Sequence, residues 1–264
     1  MGSERPQKVY SSYIEKCCNI LPLVFDLSVM KLTNFKVFIT GATSKLGREL
    51  TLAFANSGAD ICINYHSAIK DAEELLGVVQ KIGCNACITC DANIELALKE
   101  ANEKLGGIDL LVNNAAVIRE TPLESINDEE WDELLTVNLK RPFFFAKGAV
   151  KYLRSSVLGR IINISDTYGV SPSARFIPYG VSKAGVIAMT KGLAKELAPD
   201  ILVNCICPGV IDDEALKVAD RRAVGANLLK RPVKMEDVVS AVMFLSHNDS
   251  MTGQVLLVDG GKNV

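Results

Sequence analysis

The sequence carries no excess of either charge, no long apolar run and no complete metal-ligand spacing, and each absence removes a class of function. With 29 basic and 31 acidic residues the formal net charge is -2, which leaves no electrostatic footprint for nucleic acid. No run of basic residues marks a membrane surface. The longest apolar stretch near the amino terminus, residues 20–30, is short and is broken by Pro22 and Asp26, so it suits neither a transmembrane span nor a signal peptide. A small molecule is the partner these absences leave. Eight cysteines include Cys84, Cys87 and Cys90 in a C-x-x-C-x-x-C pattern, but a cluster needs a fourth ligand at a suitable spacing and none is evident. These cysteines fall where a buried third strand is expected, and Cys205 and Cys207 alternate along another, so cysteine is expected to act as a small hydrophobe. Reduced thiols of this kind point to a cytoplasmic protein.

What is present is an alternation. Strand-like apolar runs at residues 35–40, 59–65, 86–90, 109–113, 160–165, 201–206 and 255–258 are separated by segments of helical period. This predicts an α/β fold, a single-domain doubly wound parallel sheet of the Rossmann type, over residues 30–264. Residues 1–29 do not fit the alternation and mix acidic and basic residues, which argues against a transit peptide; they are expected to be an extension that the fold can do without. Met30 begins MKLTNFKVFITG, a natural start a few residues before the first strand.

The chemistry is concentrated in three residues. Tyr179 and Lys183 stand four apart in PYGVSKAG, one helical turn, so phenol and ammonium project from one face. Thirteen positions before the tyrosine, in INISDTYG, is Asp166. Free tyrosine titrates near pH 10, and bringing it to about 7 requires about 4 kcal/mol of preference for the phenolate, much of which one buried lysine could supply.

Around this trio the chain resembles the short-chain dehydrogenase/reductase superfamily. The segments TGATSKLG at residues 40–47, NNAA at 113–116, Asn138 in VNLKRPFF, the Tyr179 and Lys183 pair, CPGVI at 207–211 and TGQVLLVDGG at 252–261 occur in the family's order. The resemblance implies that Tyr179 donates a proton, that Lys183 holds the nicotinamide ribose and lowers the tyrosine pKa, and that Asn138 completes a proton relay through water. It implies assembly as a homodimer or homotetramer through helices near residues 128–152 and 179–197. The stretch at residues 91–108 is short beside the family, so a trimmed helix is expected there.

A strand, a glycine turn and a helix place backbone N–H groups and a positive helix end against a pyrophosphate, here through Gly41, Thr43, Ser44, Lys45, Leu46 and Gly47. An NAD-specific second strand ends in an acidic residue, whereas this one ends in Tyr65, His66 and Ser67. With Lys45 and His66 as donors, the 2′-phosphate of NADP(H) is accommodated better than NAD(H). By resemblance Asp91 and Ala92 stand at the adenine, Asn113, Asn114 and Ala115 line the cofactor, and Pro208, Gly209 and Val210 complete its site.

Most members of the family have serine where this chain has Asp166. A pteridine reductase subgroup carries aspartate there together with a basic residue in the glycine turn, as Lys45 is here. A carboxylate beside the phenol favours the neutral phenol, which tilts the site toward reduction, and it can pair with a basic ring nitrogen. The expected activity is therefore reduction of a dihydropteridine or a related C=N heterocycle. Against this, the aromatic residue that sandwiches a pterin in that subgroup is matched by Ile118, which has no ring to stack. Asp166 could instead cap a helix. The alternatives are a carbonyl or 3-oxoacyl thioester reductase and, from another class, a non-catalytic NADP(H)-binding protein. A carrier-protein substrate would need a basic patch, for which Arg119, Lys140, Arg141 and Arg175 are scattered candidates.

Overall fold

The computed structural model describes residues 31–212, 224–225 and 227–264, so the expected extension at residues 1–29 and the start at Met30 lie outside the described residues. Strands form at Lys36–Thr40 (β1), Asp60–Tyr65 (β2), Ala86–Cys90 (β3), Leu110–Asn113 (β4), Gly159–Ile164 (β5), Ile201–Pro208 (β6) and Val255–Val258 (β7). Each coincides with an expected apolar run. The helices are Lys45–Asn56 (α1), Ile69–Ile82 (α2), Ile94–Leu105 (α3), Asp128–Leu135 (α4), Arg141–Leu153 (α5), Ile177–Leu197 (α6) and Met235–His247 (α7), with a π-helical turn at Thr136–Lys140 and a 3-10 turn at Thr167–Gly169. The segment after β3, expected to be trimmed, carries the 12-residue α3.

All seven strands pair in parallel in the order β3-β2-β1-β4-β5-β6-β7. Because parallel strands are covered by helices on both faces, both sets of alternating side chains are buried. Val37 and Ile39 of β1 point to one side, into a core with Leu50 and Phe54 of α1, Leu75 and Val79 of α2 and Val238 and Val242 of α7. Phe38, between them, points to the other side and meets Leu98 of α3, Phe145 and Ala149 of α5 and Leu197 of α6. The strand order reverses between β1 and β4, and ligands of such sheets bind in the crevice outside the carboxyl ends at that switch point.

The cysteines follow the sheet only in part. Cys87, Cys205 and Cys207 are buried as expected, and Cys62 is buried too; β3 is an edge strand whose last residue, Cys90, is exposed, and Cys84, just before β3, is half-buried. All are free thiols among the described residues.

One chain of buried polar side chains links two strands and a helix. Asn113 Nδ2 donates to Asn163 Oδ1 at 2.9 Å, and Asn163 Nδ2 donates to Thr190 Oγ1 at 2.9 Å, joining β4, β5 and α6. Asn163 is fully buried, so a change there leaves groups without partners. Asn163→Leu is expected to lower stability by about 1–3 kcal/mol, read as a lower urea midpoint at unchanged slope. An unchanged midpoint would show that the chain of amides is dispensable.

Candidate active site

The glycine turn is set by close approach. Gly41 has φ +59°, and a Cβ there would stand 2.8 Å from Ala115 Cα, while one at Gly47 would stand 2.3 Å from Gly41 O. Only glycine fits either position. Ser44 caps α1 by accepting from Gly47 N at 3.1 Å. Asn114 clamps the turn from β4, its Nδ2 donating to Thr40 O and Gly41 O at 3.0 Å each and to Ser44 Oγ at 3.2 Å. Thr40 Oγ1 in return accepts from Asn114 N and Ala115 N at 3.0 Å each. The glycine turn and the NNAA turn are thus one unit.

Beside this unit is a crevice of about 440 Å³ lined by Gly41, Thr43, Ser44, His66, Ser67 and Asp91, with Asn113, Ala115 and Arg141 among its other walls. Asn113, which lines the crevice, has a buried Oδ1 with no hydrogen-bond partner among the described residues. With the glycine cradle and the N-terminus of α1, these residues fit a dinucleotide. Leu46 and Gly47 lie behind the turn, Lys45 is exposed on the first turn of α1, and Tyr65, Ala92, Asn114 and Ile118 lie outside the lining. Pro208, Gly209 and Val210 are at the end of β6, where Gly209 N donates to Val258 O at 2.9 Å.

His66 does not stand alone. Its Nδ1 is 2.6 Å from Asp91 Oδ1, and Asp91 Oδ2 is 2.9 Å from Arg141 Nη2, which also donates to the Asp91 carbonyl. Asp91 is therefore buried between the His66 ring and the Arg141 guanidinium rather than left open. Arg141 lies fifty positions away in sequence, and nothing local marks it as a cofactor residue. A larger groove, about 690 Å³, lies between α3 and α5 and contains none of the catalytic trio.

At the next strand ends the trio converges. Tyr179 OH donates to Asp166 Oδ2 at 3.1 Å. The other carboxylate oxygen, Oδ1, accepts from Tyr168 N at 2.7 Å and from Thr167 Oγ1 at 3.3 Å, so Asp166 caps the 3-10 turn as well as meeting the phenol. One oxygen thus meets the phenol while the other caps the turn. Lys183 Nζ donates to Ile164 O at 3.0 Å and lies 5.7 Å from the Tyr179 ring centre. Asn138 occupies the π-helical turn, a distortion frequent at functional sites, and its amide donates to Val117 O at 2.9 Å and Ser182 Oγ at 3.2 Å while accepting from Val117 N at 2.8 Å. Ser182 Oγ donates to Tyr179 O at 2.7 Å, which ties the asparagine to the tyrosine's helix.

The electrostatics follow from burial. Burial pushes the Tyr179 phenol well above its usual value, and the Asp166 charge and hydrogen bond push the same way. Burial lifts the Asp166 carboxyl, against the pull of the Tyr168 N–H and the Lys183 charge, and burial lowers the Lys183 ammonium. Burial and, after it, the Asp166 carboxylate hold the phenol above its usual value, the direction opposite to that expected of Lys183.

An aromatic wall flanks Asp166. Tyr168 stacks on Phe176 with ring centres 5.3 Å apart, and Tyr179 stands edge-on to Tyr168 at 6.4 Å. Ile118 is 62% exposed and contributes no such face. No helix among the described residues is long and apolar enough to cross a membrane.

Comparison with known proteins agrees with this geometry. A family model described as enoyl-(acyl carrier protein) reductase matches residues 41–263. The 3-oxoacyl-[acyl-carrier-protein] reductase FabG of Thermotoga maritima is 36% identical over 245 residues, 88% of this chain and 99% of that protein. Among solved structures, FolM alternative dihydrofolate reductase 1 from Brucella canis, complexed with NADP, is 28% identical with a TM-score of 0.80, covering 87% of this chain and 94% of the other. A short-chain dehydrogenase from Burkholderia cenocepacia in complex with NADP is 27% identical with a TM-score of 0.84, covering 89% of this chain and all of the other. The motif order, the switch-point crevice and these relatives lead to one conclusion: the chain belongs to the short-chain dehydrogenase/reductase superfamily and is an oxidoreductase.

Proposed function

We propose that the protein is an NADPH-dependent reductase of a dihydropteridine or related C=N heterocycle. The observation that carries this reading is the hydrogen bond from Tyr179 to the Asp166 carboxylate. A site that binds a ketone uses a neutral hydroxyl donor at this position, whereas a carboxylate accepts and attracts a protonated ring nitrogen. The FolM relative, named as a dihydrofolate reductase, supports the substrate class.

The residues at the first crevice suit NADP(H). His66 and Ser67 end β2 where a carboxylate would repel a 2′-phosphate, and Asp91, close by, is already paired with His66 and Arg141. Gly41, Thr43, Ser44 and Asn113 would hold the pyrophosphate and ribose. When bound, the cofactor supplies hydride. Tyr179 then supplies a proton from its neutral phenol to the substrate, Asp166 orients that phenol and engages the ring nitrogen, Lys183 provides a fixed charge beneath the tyrosine, and Asn138 keeps the Val117 and Ser182 contacts that position α6. The Tyr168 and Phe176 faces offer the planar surface that Ile118 lacks. Exposed Phe143 and Phe144 on α5 and Val181 on α6 favour assembly of this reductase as a homodimer or homotetramer.

The second reading, a 3-oxoacyl thioester reductase, is favoured by the FabG relative. Three of the four cations that could receive an acidic carrier protein face carboxylates instead: Arg119 is 2.9 Å from Glu133, Arg175 is bonded to Glu120, and Arg141 holds Asp91.

Asp166→Ser is expected to lower dihydropteridine reduction by about 10²-fold while keeping or raising ketone reduction, and Tyr179→Phe to abolish both. Rates with dihydrobiopterin and acetoacetyl thioester decide: heterocycle reduction that survives Asp166→Ser hands the function to the second reading. For the cofactor, NADPH is expected to bind more tightly than NADH, and His66→Ala to weaken NADPH by about tenfold while leaving NADH unchanged. Equal losses for both cofactors, measured by fluorescence titration, would remove His66 from the phosphate.

A further inference from the structure

Lys262 lies just beyond the last recognisable motif, yet the chain end that carries it returns to the site. Asp259 gathers the terminal residues: its carboxylate accepts from Gly261 N at 2.9 Å, from Asn263 N at 3.0 Å and from Asn263 Nδ2 at 2.9 Å. Burial opposes its charge, but the Asn263 side chain and the backbone N–H groups outweigh burial and hold the carboxyl below its usual range. The clasp is therefore charged and intact at neutral pH. It brings Lys262 over the 3-10 turn, where Nζ is 4.3 Å from the Tyr168 ring centre and donates to Thr167 Oγ1 at 3.5 Å.

Thr167 is buried, and its hydroxyl donates onward to Asp166 Oδ1 at 3.3 Å. A hydroxyl has one proton to give, so an ammonium on one side fixes the direction in which it is given. The bonds run Lys262 to Thr167 to Asp166, and the same carboxylate accepts the Tyr179 hydrogen bond at its other oxygen. We propose that Lys262, acting through Thr167, is a positioning residue that keeps Asp166 ionised and turned toward Tyr179; its bearing on catalysis rests on the role given to Asp166 above.

Several groups face Asp166. Tyr179 and Lys183 approach from α6, Thr167 and Tyr168 from the 3-10 turn, Cys207 from β6 and Lys262 from the chain end. Burial lifts the carboxyl, and of the charges that oppose it Lys183 is fixed on Ile164 O while Lys262 stands on a separate element. Burial lowers the Lys262 ammonium in turn, and Asp166 and Asp259 hold it up. A cation close to a carboxylate favours the ionised form, so its removal must move the Asp166 midpoint upward.

The test is an NMR titration of the full chain labelled with 13C at the aspartate carboxyls, in which the resonance missing from Asp166→Asn identifies Asp166. Lys262→Met is expected to raise its midpoint by about 1 unit, Lys262→Arg to leave it in place, and Thr167→Val to raise it less than Lys262→Met. The acid limb of the NADPH-dependent reduction rate should move with the midpoint. An unchanged midpoint in Lys262→Met overturns the proposal, as does an equal shift in Lys262→Arg, which would mark a packing effect. Should Lys262→Met fail to fold, Lys262→Gln and Thr167→Val read the same midpoint, and no shift in either overturns it. A midpoint that rises in Lys262→Met while Asp166→Ser retains heterocycle reduction leaves the role of Lys262 standing and sinks the substrate reading alone.

Discussion

A parallel sheet covered on both faces confines polar chemistry to the ends of its strands, and this constraint organises the molecule. Val37, Phe38 and Ile39 are all completely buried, so β1 has no wet face on which a functional group could be placed. Backbone and side-chain polarity therefore gathers where the strands stop. Thr40 at the end of β1 and Asn114 just beyond β4 bind each other's turns, and Asn163 passes a hydrogen-bond chain from Asn113 to Thr190 of α6. Through that chain the cofactor-side turn and the helix of Tyr179 share one rigid support. Buried amides of this kind are costly unless fully paired, which gives the arrangement a single register.

Within that frame the protonation of Tyr179 is a contest between two charges. The Asp166 oxygen is 3.1 Å from the phenol oxygen, while the Lys183 ammonium is 5.7 Å from the ring centre and engaged with Ile164 O. Burial penalises the phenolate most, and the Asp166 charge and hydrogen bond act in the same direction. The hydrogen bond from the phenol to the carboxylate joins the two groups into a pair. The pair favours a phenol that carries its proton, the state a reduction begins from.

Much of this was legible in the sequence because it depends on local spacing. A period of two with both positions apolar marks a buried parallel strand, and the runs at residues 86–90 and 255–258 coincide with β3 and β7. The four-residue step from Tyr179 to Lys183 marks a shared helix face, and the glycines of TGATSKLG mark positions without room for a Cβ. What was not legible depends on long-range pairing. Arg141 reaches Asp91 across fifty residues, and Lys262 reaches Thr167 across 95. No pattern around either residue encodes the partner. Cys90 shows a third case, since a strand-like run does not reveal whether its strand lies in the middle of the sheet or at its edge. The aromatic surface near Asp166 likewise comes from Tyr168 and Phe176, which are brought together by a 3-10 turn and the start of α6 rather than by a position after the NNAA turn.

The electrical state of Asp166 separates the two substrate classes more sharply than the overall likeness to either relative. Reduction of a ketone develops negative charge on oxygen, and an ionised carboxylate in contact with that oxygen repels it and has no proton to give. Reduction of a C=N bond begins from a nitrogen that is basic, so the same carboxylate attracts its protonated form and accepts its N–H. A protonated Asp166 would reverse the preference, because it becomes a donor like the serine common in the family. The identity of the residue alone therefore does not fix the chemistry; its ionisation does. Burial lifts the carboxyl toward the neutral form, while the Tyr168 N–H, the Lys183 charge and the Lys262 ammonium oppose it. If Asp166 acts as proposed, the Asp259 clasp that delivers Lys262 bears on the specificity of the site, although it touches neither the phenol nor the crevice of the glycine turn.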